Sequence, residues 1–203
     1  MTKTLILTGF EPFAGASLNP SQLLIEQVEK LKFADLEIVT EVLPVEYLGA
    51  SFRLLDLINQ HQPAAVIATG QAEGRSEISI ERIAVNLANA KLADNSGRIK
   101  VNEQILQYGK DQLASTLPIT EMVSAINQSG ISAGESDSAG AFVCNYIFYQ
   151  MQNILKTTSI PSGFIHLPLV TEQQSEFPGQ PTMPLKDMVN GIAAAINALK
   201  NTL

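Results

Sequence analysis

Along the chain, short runs of β-branched and aliphatic residues alternate with longer stretches whose apolar positions recur at helical spacing. KTLILTG at 3–9 reads as a buried strand closed by a glycine turn. PSQLLIEQVEKL at 20–31 follows as a helix, with Asn19 placed to cap it and Pro20 at its first position, where a missing N–H costs nothing. LEIVTEVLPV at 36–45 and AAVIATG at 64–70 repeat the strand pattern, and between them YLGASFRLLDLINQHQP at 47–63 has helical period and a closing proline. EISIERIAVNL at 77–87 alternates apolar and polar residues and predicts one half-buried strand. Three more helices are expected at 119–130, 141–155 and 184–199, with a short strand, SGFIHLPLV, at 162–170.

Strands alternating with helices predict an α/β fold: a single domain over residues 1–203 with a largely parallel, twisted central sheet flanked by helices on both sides. In such sheets ligands gather beyond the carboxyl ends of the strands. Attention therefore falls on GFEPFAGASLNP after the first strand, on GQAEGRSE after AAVIATG, and on the turn into the helix at 141–155. The glycines lack the spacing of a phosphate loop or dinucleotide fingerprint and read as turn residues. Phe10 and Phe13, set between helix breakers, either pack beneath their loop or line a pocket, and pattern alone favours packing.

Composition removes some possibilities. With 203 residues and 45% hydrophobic content the chain can bury one substantial core. Thirteen Lys and Arg against 20 Asp and Glu give a formal charge of −7 without a basic patch, which argues against a nucleic acid partner. No apolar run is long enough for a bilayer span, so no membrane role is expected, and the single cysteine fits a reducing, cytoplasmic setting.

That cysteine, Cys144, sits at the start of an apolar helix, where it is either an acidified nucleophile or a small hydrophobe. His61 lies between glutamines at a solvated helix end. His166 lies in an apolar strand, either as a satisfied core residue or as a general base. Glu81, between apolar neighbours, needs a partner if buried, and Arg75 or Arg82 would serve. Cys144, His166 and Glu81 together could form a Cys/His/acid set, whose members meet in space rather than in sequence.

LILTGFEPFAGASLNPS, ATGQAEGRSEISIERIAVNLANAKLADNSG, SDSAGAFVCNYIFY, GFIHLPLVTEQ and PTMPLKDMVNGI resemble, in order and over essentially the whole chain, the landmark segments of the pyroglutamyl-peptidase I family of cysteine peptidases. The resemblance implies a cytoplasmic hydrolase that removes N-terminal pyroglutamyl residues from peptides through a thioester, with no cofactor or metal, commonly as a homotetramer. It implies Glu81, Cys144 and His166 as the catalytic set. It also implies an apolar slot formed with Phe13 and Phe142, Phe10 nearby, the main chain at Gln71 bonding the lactam, and Asn19 tying the first loop to the site.

The sequence departs from the family pattern at Ala88 and Asn89, where an aspartate pair is usual, at Lys91 in place of an arginine, and at Tyr146 in place of a frequent histidine. Lys91 is expected to support the oxyanion or a neighbouring loop. Two other readings remain: a non-catalytic homologue that binds pyroglutamyl peptides, and, more distantly, a nucleoside phosphorylase-like enzyme.

Overall fold

A computed structural model describes residues 2–203. The chain enters through strand β1 (Lys3–Phe10), turns into helix α1 (Pro20–Val28), and returns as β2 (Leu36–Leu43). Helix α2 (Tyr47–His61) leads to β3 (Ala65–Gln71) and β4 (Ile78–Glu81). An excursion of short strands follows, comprising β5 (Ile83–Val85), β6 (Ala88–Ala90), β7 (Lys100–Glu103) and β8 (Gln112–Ala114). Helix α3 (Ile119–Gln128), strand β9 (Ala133–Ser136), helix α4 (Val143–Leu155), strand β10 (Ser162–Leu167) and helix α5 (Leu185–Lys200) complete the domain.

The main sheet has the order β2-β1-β3-β10-β4-β9. Its pairings are parallel except for β10 with β4, where His166 lies opposite Ser79 and Phe164 opposite Glu81. The two faces carry separate cores: α1, α3 and α5 pack on one, and α2 and α4 on the other. Strands buried on both faces must be apolar throughout, which is why β1 and β3 read as continuous hydrophobic runs. The fold class expected from alternation is the one observed. No helix among the described residues is long and apolar enough to cross a membrane.

Local chemistry explains the boundaries. Asn19 accepts the N–H of Ser21 and caps α1, a bond worth about 1 kcal/mol. Gly130, at φ 83°, follows the end of α3 and lets the chain reverse.

The segment 77–87 corrects the expectation of a single half-buried strand. All four residues of β4 are buried, because β10 and β9 flank it within the sheet. After Glu81 the chain leaves the sheet: the Arg82 N–H donates to Ser136 O and its carbonyl accepts from Ser115, so β5 pairs with β8 instead. The exposed strands β7 and β8 carry too few apolar residues to be read from pattern.

Candidate active site

Beyond the carboxyl ends of β3 and β10 lies a cleft of about 410 Å³, lined by Phe13, Gln71, Arg75, Phe142, Cys144 and His166 among others. Adjoining it is a narrow slot of about 20 Å³ among Phe10, Phe13, Asn19, Val45, Gln71, Phe142, Val143 and Cys144. Cys144 therefore sits where the two meet.

Glu81 and His166 are held by adjacent strands of the sheet. His166 Nδ1 lies 2.6 Å from Glu81 Oε1, and both side chains are buried. The same carboxylate oxygen lies 2.8 Å from Arg75 Nη1, which approaches as an ion-pair partner without hydrogen-bond alignment. Of the two arginines that the sequence offers to Glu81, Arg75 takes the role, whereas Arg82 faces outward to Glu135 and Asp137.

Burial alone would raise the Glu81 carboxyl; the hydrogen bond and charge of His166, the Ser136 hydroxyl and the Arg75 charge outweigh it and hold the group below the usual carboxylate range. Burial lowers His166, against the pull of Glu81 and with the help of Arg75. The Cys144 thiol is pushed up to about 12, chiefly by burial and then by the Glu81 charge, while its own main-chain N–H and Arg75 act the other way. The thiolate expected at neutral pH from a helix start is thus opposed in the empty site by desolvation, which pushes the thiol up and the imidazole down.

Cys144 is the second residue of α4, after Phe142 in extended conformation at the N-cap. The first main-chain bond of the helix runs from Tyr146 N to Phe142 O, so the N–H groups of Val143, Cys144 and Asn145 have no carbonyl one turn back. Next to the thiol, buried Asn145 accepts from Val85 N–H and donates to the carbonyls of Val85 and Leu87, all at 2.9 Å, fastening the first turn of α4 to the excursion. A polar residue inside an apolar helix is the signal that could have marked it. Gly70 supplies the space opposite: a Cβ there would stand 2.9 Å from Cys144 Sγ.

The slot is aromatic. Phe13 and Phe142 have ring centroids 6.0 Å apart, and Tyr47 stands edge-on to Phe142 at 5.6 Å and to Tyr146 at 5.2 Å. Tyr146 is thus part of the support beneath Phe142. Phe10 is buried and packs on Phe164, so it lies under the loop and also borders the slot. Asn19 Nδ2 donates to Glu11 O, tying the loop to α1. Gln71 is held through its side chain by buried Gln173, which also donates to Leu18 O, a link with no signature in the sequence.

The departures from the family pattern fall apart spatially. Ala88 is buried in the core on the α4 side, and the Asn89 N–H donates to Ala141 O, holding the turn before α4 through main chain that any residue would supply. Lys91 is exposed, borders neither cavity, and has no hydrogen bond or ion pair among the described residues. His61 ends α2 in solvent.

A family model described as pyroglutamyl peptidase matches residues 3–202. The chain is 41% identical over 201 residues to a pyrrolidone-carboxylate peptidase of Pseudomonas fluorescens, covering 98% of this chain and 94% of that one. It is 42% identical over 190 residues to one of Vibrio vulnificus, covering 94% and 89%. Among solved structures, the pyroglutamyl peptidase I from Bacillus amyloliquefaciens superposes with a TM-score of 0.94 at 35% identity, covering 98% of this chain and 95% of that one. A mutant pyrrolidone carboxyl peptidase from Pyrococcus furiosus superposes with a TM-score of 0.94 at 33% identity, covering 98% and 99%.

Proposed function

The chain belongs to the pyroglutamyl peptidase family, and from that premise we propose that it is a cysteine peptidase removing N-terminal pyroglutamyl residues from peptides. The observation that carries this reading is the meeting at Cys144 of a buried Glu81–His166 pair and a narrow aromatic slot that adjoins the cleft. In the proposed reaction the pyroglutamyl ring enters the slot as Phe13 and Phe142 part. Cys144 Sγ attacks the carbonyl carbon that joins pyroglutamate to the next residue, and its proton passes to His166. Glu81 holds the ring through Nδ1 and stabilises the imidazolium that forms. The oxyanion faces the free N–H groups at the start of α4, which supply a fixed positive field without help from Lys91. The C–N bond then breaks as His166 returns the proton to the departing amine. Water attacks the thioester, giving its proton to His166, and pyroglutamate leaves as the thiol reforms.

The slot favours the neutral lactam over an N-terminal proline. A prolyl ammonium would lose its hydration against Phe13 and Phe142 with no opposite charge to meet, and it lacks the ring carbonyl that bonds the main chain at Gln71. Such sites discriminate by roughly 10⁴-fold. The experiment compares release of a chromogenic amine from matched pyroglutamyl and prolyl amides. A kcat/KM ratio of that order in favour of pyroglutamate is expected. Equal rates would refute the slot, and no release from either would refute the peptidase reading in favour of a binding role.

We further propose that copies associate, as a tetramer, in a reducing cytoplasmic setting. Exposed Leu92, Ile99 and Val101 on the β6–β7 hairpin supply apolar surface that association would bury, and the lone cysteine supports the setting.

A further inference from the structure

Arg75 has no part in the reaction just described, yet it lies at its charged centre. Its Nη1 stands 2.8 Å from Glu81 Oε1, the oxygen that also receives His166 Nδ1 at 2.6 Å. Its Nη2 donates to Ser138 O at 2.8 Å, in the turn between β9 and α4. Arg75 is itself part of the cleft wall, and its side chain is 23% exposed against 0% for Glu81. One guanidinium therefore spans a fixed main-chain anchor and a buried carboxylate. Only a planar fork can do both, since an ammonium offers a single point of charge.

Two charges on one oxygen have opposite effects on the base. A buried carboxylate beside an imidazole, with no other counter-charge, would bind the imidazole's proton tightly and make His166 a weak proton donor to the leaving amine. The permanent charge of Arg75 offsets that pull while keeping Glu81 ionised. The groups facing Glu81 are His166 from β10, Ser136 from β9, Arg75 from the loop after β3, and the thiol of Cys144 from α4. Among them only Arg75 keeps a positive charge at every working pH.

We propose that Arg75 is a positioning residue that acts through Glu81: anchored on Ser138, it fixes the carboxylate and moderates its hold on the His166 proton. This rests on the peptidase reading above for its kinetic consequences, but not for its effect on the thiol.

The test uses Arg75→Gln, which removes the charge and keeps a polar side chain, and Arg75→Lys, which keeps the charge and loses the fork. For Arg75→Gln, kcat should fall roughly 10- to 100-fold with KM changed by less than about threefold. The acid limb of kcat/KM should move up by about one pH unit, because loss of the neighbouring cation raises both His166 and Glu81. Arg75→Lys should restore the position of the acid limb while recovering only part of kcat. Alkylation of Cys144 by iodoacetamide at pH 8 should slow by roughly threefold or more in Arg75→Gln, because the thiol loses a stabilising cation. This readout needs no substrate, so it stands even if the enzyme cleaves something other than pyroglutamyl amides.

In a Glu81→Gln background the Arg75→Gln change should cost less than about threefold further, since the group through which it acts has gone. A wild-type acid limb and alkylation rate in Arg75→Gln would overturn the proposal. So would losses that multiply in the double variant. Should Arg75→Gln not fold, an acid limb displaced upward in Arg75→Lys by about the full pH unit expected for loss of the charge would overturn it, because the lysine retains the charge.

Discussion

The charged wall of the cleft and its aromatic wall are built by different means. Glu81 and His166 project from β4 and β10, neighbouring strands paired in the middle of the sheet, and their separation is set by strand register. The aromatic wall hangs on a loop and a helix start: Phe13 lies in the loop after β1, beside Ala14 and Gly15 at φ 54° and 80°, and Phe142 is the N-cap of α4. Its order comes from edge-to-face stacking through Tyr47 to Tyr146, each such pair worth about 0.5–1.5 kcal/mol. A wall made of strands holds a proton path in place, whereas a wall made of loop ends can part to admit a ring.

If that division of labour holds, losses on the charged side should appear in turnover and losses on the aromatic side in binding. The largest effect is expected for Cys144→Ala, which removes the proposed nucleophile at a position that needs only a small residue. Turnover of a pyroglutamyl amide should drop at least about 10⁴-fold with the melting temperature little changed, and residual activity well above that would sink the mechanism.

Next comes the proposed base. His166→Ala should lower kcat about 10²- to 10⁴-fold with KM nearly constant. In the wild type, burial pushes the thiol up and His166 down. Alkylation of the empty enzyme should therefore keep rising from pH 6 to 9 rather than level off near 6, and a plateau at 6 would show a resting ion pair instead.

The same shifts bear on stability. His166 binds its proton less readily folded than unfolded, so stability is full above about pH 6.5 and falls as pH drops through the unfolded value. Glu81, held low when folded, adds stability that is present above the ordinary carboxylate value and is lost only as pH falls through its depressed folded value. Melting temperatures should accordingly decline in two stages toward acid, and a single stage near pH 4 would mean that His166 titrates normally.

On the aromatic side, Phe13→Ala should raise KM roughly 10-fold or more while Cys144 remains open to alkylation, because the half-buried Phe13 ring supplies one apolar wall of the slot. A fall confined to kcat would erase the contrast between the walls. The smallest effect is expected at Lys91: exposed and remote from both cavities, its change to Ala should leave kcat/KM within about twofold.

Much of the molecule was legible in the chain because hydrophobic period reports burial. The doubly buried strands β1 and β3 and the amphipathic helices α2 and α5 declare themselves by composition. Asn19 and Gly130 mark helix ends for reasons that are entirely local. Glu81 and His166 stand out as polar residues in apolar strands, whereas Cys144 reads equally as a small hydrophobe, and only the resemblance to a family joins the three into a set.

What the chain alone left open is what depends on distant partners. Whether Arg75 or Arg82 meets Glu81 turns on the path of the chain as it leaves β4, which is settled by main-chain bonds from Arg82 to Ser136 and Ser115. The short strands β7 and β8 exist only because the excursion folds back on itself, so no local period announces them. Asn145 and Gln173 are ordinary polar residues until packing buries them and obliges every donor and acceptor to find a partner. The state of Cys144 is the plainest case. Sequence places a thiol at a helix start, where the dipole favours thiolate; only the tertiary structure sets it, half-buried, between the cleft and an aromatic slot and near a carboxylate, where desolvation works against the dipole and pushes the thiol up.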